Sequence, residues 1–138
     1  MSQSLPPEQI DNDELMARFM TKKDWVRIDG TIKQDAFIPP KDLHLSVIRH
    51  NHLSLEELWA TGQAVANEIN KGQEGTPFYG RVDVTGFQVE QCSLKAVPYP
   101  LSKFPTHAHI DGWPADKDAR KSLAQDLAVA AGRVVRAC

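Results

Sequence analysis

The sequence predicts an α+β domain, a small mixed or antiparallel sheet carrying two main helices and a short N-terminal helix. Three observations lead there. Short runs of period-two alternation, "LHLSVIR" at 43–49 and "FPTHAHI" at 104–110, have the spacing of strands. Two longer stretches, 53–72 and 115–136, place apolar residues at helical spacing. Strand-like and helix-like segments interleave with short breaks rich in Gly and Pro, without internal repeats.

In chain order, residues 1–9 are polar around a Pro6-Pro7 pair and are expected to be a disordered leader to a single domain over 10–138. The stretch 10–20 carries helix-start signals: Asp11 can cap, Glu14 can reach back, and Ile10 can pack on Leu15. Two brief extended pieces follow over 24–38, turned by Asp29-Gly30. In the strand 43–49, Leu43, Leu45 and Val47 share one face, and His44, Ser46 and Ile48 the other.

The helix after it opens on a Ser54/Glu57 capping box with Leu53 and Leu58 at staple positions, and ends before Gly72. Its expected buried stripe is Leu55, Leu58, Trp59, Gly62, Val65, Ala66 and Ile69, with Gly62 admitting a neighbouring backbone. Residues 80–98 suggest one or two strands containing Cys92, with a bulge at Gly86 where the apolar parity switches. The closing helix starts acidic, has Arg133 and Arg136 near its end, and turns Leu123, Leu127, Ala131, Val134 and Val135 to one side.

Bulk properties narrow the function. A chain of 138 residues, 41% hydrophobic and 25% charged, can bury one core without staples. A net charge of −2 supplies no general attraction to nucleic acid. The absence of an export signal or a bilayer-length apolar run leads to the expectation of a cytoplasmic protein with no membrane association. Cys92 and Cys138 are expected as reduced thiols.

The chemistry concentrates in histidine. All five fall in two short stretches, His44, His50 and His52 in one and His107 and His109 in the other. On a strand, His107, His109 and Asp111 would face one side and could bind an ion, with His44 as a further ligand. Zinc is the divalent metal such a set would take, in a metal-dependent hydrolase; otherwise no cofactor is expected. Arg49, Arg81 and Trp113 are candidate ligand-binding residues, with Arg18 a further cation able to meet phosphate. The alternative roles are ion pairing for the arginines and a lid on the core for Trp113.

"HAHID" at 107–111 resembles the H-x-H-x-D-H signature of the metallo-β-lactamase superfamily, but Gly112 stands where its last His belongs and no His follows. "LHLSV" resembles the H-x-[ST]-x pattern of the 2H phosphoesterases. By that resemblance His44 and Ser46 form one catalytic pair and His107 and His109 the other, acting on a nucleotide, an RNA end or another phosphate-containing molecule. One imidazole would then take a proton while the other gives one. The pattern "LSVIR…HAHIDGWP" is also similar to small bacterial proteins of uncharacterised function. A third reading is a non-catalytic interaction or regulatory protein, binding a protein partner or itself as a homodimer, with structural histidines.

Overall fold

The computed structural model describes residues 9–51, 53–71 and 76–136. Five strands, β1 (Leu15–Phe19), β2 (Leu45–Arg49), β3 (Arg81–Thr85), β4 (Lys95–Pro98) and β5 (His107–Asp111), form one antiparallel sheet in the order β3-β1-β2-β5-β4. Three helices complete it: α1 (Leu55–Ile69), the short α2 (Gly86–Gln91) and α3 (Lys117–Ala131). This is the predicted α+β class with its two substantial helices.

The sheet buries both faces unequally. Met16, Leu45, Val47, Val82, Val84, Ala108 and Ile110 point into the main core, which α2, α3 and a 3₁₀ turn at Gln34–Phe37 close through Val89, Leu127 and Phe37. On the opposite face a smaller cluster, Ala17, Phe19, Ile48 and Leu58, lies under α1. The β5 side of this second face carries His107, His109 and Asp111 instead.

Local signals explain the elements that match. Ser54 Oγ accepts from Glu57 N at 3.1 Å and Glu57 Oε1 accepts from Ser54 N at 2.8 Å, a complete capping box that starts α1. Asp116 caps α3 by accepting from Ala119 N at 2.8 Å. Gly132, at φ 76°, ends that helix in the left-handed region that favours glycine. Beyond it Thr31 pairs with Arg133 and Arg81 with Val135, so Val134, Val135 and the two arginines lie past the helix.

Several expectations are corrected. Residues 10–20 hold the interior strand β1 and no helix: Glu14, the would-be capping residue, is buried and accepts two hydrogen bonds from the Arg49 guanidinium. Around Asp29-Gly30 the turn forms, with Asp29 Oδ1 accepting from Thr31 N and Oγ1, but only the isolated pair Val26/Ile32 flanks it. Gly86 opens a helix and forms no bulge, because Thr85 and Gln88 make a second capping box. Cys92 consequently caps α2 instead of lying in a strand.

In α1, Leu55 and Ile69 are exposed, leaving Leu58, Gly62 and Ala66 as its buried stripe. Gly62 does meet a close neighbour, but it is the Phe19 ring, 2.7 Å from where a Cβ would lie. The stop residue Gly72, with His52, Cys138 and the leader residues 1–8, lies outside the described residues. No described helix is long and apolar enough to cross a membrane.

Candidate functional site

The site grows out of strand register. β2 and β5 pair antiparallel with Ser46 opposite His109 and Leu45 opposite Ile110. Continuing that count places His44 opposite Asp111, and the two side chains meet: His44 Nδ1–H donates to Asp111 Oδ1 at 2.7 Å. A left-handed Leu43 (φ 62°) and an Asp42 carboxylate that accepts from His44 N at 3.1 Å bring the chain onto this ladder.

Alternation then sorts chemistry from core. Ala108 and Ile110 point into the main core, so His107, His109 and Asp111 share the opposite face, as the sequence implied. His44, immediately before β2, and Ser46 within it face the same way, both exposed.

Diagonal contacts tighten the group. The His44 and His109 rings stack with centroids 4.8 Å apart, 17° from parallel. Tyr99, which follows β4, stacks on His109 at 4.3 Å and 24°. His109 is thus flanked by a ring from each neighbouring strand, the geometry that cross-strand diagonals give to aromatic side chains. His107 packs edge-on to His109 at 4.9 Å, and its Nδ1–H donates to the Tyr99 carbonyl at 2.9 Å, which fixes its tautomer. Tyr99 went unremarked in the sequence, where "PYP" carries no signal beyond a loop.

The environments drive these rings apart in proton affinity. His44 is pushed above the ordinary imidazole value, chiefly by its hydrogen bond to Asp111, with the Asp111 and Asp42 charges adding. Burial pushes His109 down, aided by the His44 charge and opposed by Asp111 and Asp42. His107 is lowered by burial first; His109 adds to this and the Tyr99 carbonyl opposes it.

A nitrogen from each of His44 and His109 and a carboxylate oxygen of Asp111 lie within 4.8 Å of one another. Metal bonds of about 2 Å hold tetrahedral ligand atoms roughly 3.3 Å apart, so the group would have to close by up to about 1.5 Å around an ion. Two imidazoles and a carboxylate are a donor set for zinc or a neighbouring first-row ion.

The other candidates lie elsewhere. His50 sits at the far end of β2, its Nε2 2.8 Å from Asp83 Oδ1. Arg49 is fully buried against Glu14. Arg81 is also buried, donating from Nε to Asp83 Oδ1 at 3.2 Å with its guanidinium 4.8 Å over the Trp59 ring. Trp113 is in the core, where its Nε1–H donates to the Ile110 carbonyl at 2.8 Å. Arg18 lies nearer to the site: its guanidinium donates to the carbonyls of Ala36 and Ser46, and burial pushes its pKa down to about 10.

Compared with protein-family profiles, with curated proteins and with solved structures, the chain has no match.

Proposed function

We propose that this protein carries a divalent transition metal, of which zinc is the first choice, on His44, His109 and Asp111, in a site that activates water for hydrolysis. The observation that carries the reading is the convergence of two imidazoles and a carboxylate from paired strands to within 4.8 Å. Three protein ligands with an open coordination position are the usual donor count of hydrolytic zinc sites. The surrounding charge favours a cation: Asp111 and Asp42 both act on the two rings.

The test is metal uptake by calorimetry and elemental analysis, with cobalt as a spectroscopic substitute. One ion per chain is expected, with an intense visible cobalt band that is lost in His109→Ala and Asp111→Ala. Failure of the folded wild-type chain to take up metal after metal-replete purification would refute the reading.

A second reading draws on the opposed pKa shifts. His44 favours its proton and His109 releases it, the division of labour of a general acid and a general base, and the Ser46 hydroxyl shares their face. This is the metal-free phosphodiester chemistry implied by the likeness to 2H phosphoesterases. Hydrolysis of bis(4-nitrophenyl) phosphate in the presence of a chelator, abolished by His44→Ala and by His109→Ala, would favour it over the metal reading.

A further inference from the structure

β1 and β2 are paired only at Met16/Arg49 and Ala17/Ile48. Past that point no further pairs join them, and Arg18 reaches across to the Ser46 carbonyl. Beside this opening, between α1 and the polar half of the sheet, lies a groove of about 280 Å³. Phe19, Val65, Ile69, Leu101 and Phe104 make it predominantly apolar.

Two of its polar wall residues belong to the site already described. His107 lines the groove and packs edge-on to His109. Ser46 lines it too, and is the cross-strand partner of His109. His107 and Ser46 are therefore shared between the groove wall and the surroundings of His109. Arg18 adds a guanidinium to the wall, while Glu68, the one carboxylate among its described lining residues, is engaged by Lys103 Nζ at 2.7 Å. The residual charge of the wall thus suits an anionic head.

Size limits the occupant. The roughly 280 Å³ of the groove suits a short alkyl chain or a single ring. We propose that the groove binds the apolar tail of a small carboxylate-bearing molecule whose head reaches the ion on His44, His109 and Asp111. The head assignment rests on the metal reading above; the tail assignment rests on the groove alone.

The experiment uses the straight-chain alkanoates from acetate to octanoate as probes. Their affinities for the full zinc-loaded chain are measured by calorimetry, with NMR shifts of Val65 and Phe104 as a local readout. Each added methylene is expected to tighten binding about fourfold until the groove is full. Ile69→Trp, at an exposed position, narrows the groove and should flatten the series; Leu101→Asp, which puts a charge on the wall, should do the same. A series flat in the wild type, or a gradient unchanged in both variants, would overturn the tail assignment. So would a chain of twice the monomer mass in sedimentation that ignores every alkanoate, since a second copy would then cover the groove.

The metal-free chain separates the two ideas. If zinc tightens all members by one common factor, acetate included, head and tail are both supported. If no zinc binds yet the gradient persists, the metal reading and the head assignment fall while the tail pocket stands.

Discussion

Replacing Arg49 tests whether this arginine is architecture or a ligand contact. Its side chain is 2% exposed and that of Glu14 is 1% exposed. The guanidinium donates to both carboxylate oxygens, from Nε to Oε2 and from Nη2 to Oε1 at 2.9 Å, and Nη2 also donates to the Gln9 carbonyl at 3.2 Å. Arg49→Ala would leave the Glu14 carboxylate buried without its cation, a change that costs about 3 to 5 kcal/mol. Unfolding entropy of roughly 2.1 cal/mol/K per residue, taken over 138 residues, is about 0.29 kcal/mol/K, so the melting temperature should fall by about 10 to 17 °C. Urea unfolding and thermal melts followed by circular dichroism read both quantities. The double variant Glu14→Leu/Arg49→Met, similar in volume and free of charge, should regain most of the loss. A loss below about 1 kcal/mol in Arg49→Ala would refute the reasoning. It would return Arg49 to the candidate ligand contacts.

The remaining predictions concern the site and its support. In histidine NMR titrations of the metal-free chain, His44 should titrate above the reference value of 6.5 and His107 and His109 below it, and Asp111→Asn should bring His44 down. Because His107 and His109 bind protons less readily when folded, their contribution to stability is full above pH 6.5 and is lost as the pH falls through their depressed folded values; denaturant midpoints against pH measure it. His44 acts in the opposite sense, contributing below pH 6.5 and ceasing to as the pH rises through its elevated value. Zinc must displace the His44 proton, so affinity measured by calorimetry should weaken as the pH drops below that elevated value. Gly62→Ala should lose about 1 to 2 kcal/mol in urea unfolding, since a Cβ there lies 2.7 Å from the Phe19 ring, a clash that outweighs the gain in helix propensity.

What could be read in advance was what depends on near neighbours. The Ser54/Glu57 box and the alternation of 107–111 are each written within a few residues, whereas the closing helix, expected to run to 136, stops at Ala131 because Gly132 takes a positive φ. β1 was illegible because its fate is decided at a distance. "LMARFM" suits either periodicity, and it becomes a strand because β2 and β3 pair with it on both sides while Arg49 takes Glu14 away from any cap. Gly86 is a different case, since the Thr85/Gln88 pair stood in the sequence as a helix start and the parity change there marks the passage from strand to helix. For the site, the shared face of His107, His109 and Asp111 followed from period two. The arrival of His44 opposite Asp111 required the β2/β5 register, and Tyr99 required β4 beside β5, neither of which any local pattern specifies.

The alternation along β5 has a consequence for how this site is acquired. Slipping β5 by a single residue against β2 would turn His107, His109 and Asp111 inward and expel Ala108 and Ile110 from the hydrophobic core. Such a chain would hold uncompensated polar groups where Val47 and Leu127 now pack, so the misaligned molecule is not a stable competitor. A well-packed interior therefore fixes the register of these side chains as well. A chain that reaches this core presents His107, His109 and Asp111 on one face, where His44 meets Asp111.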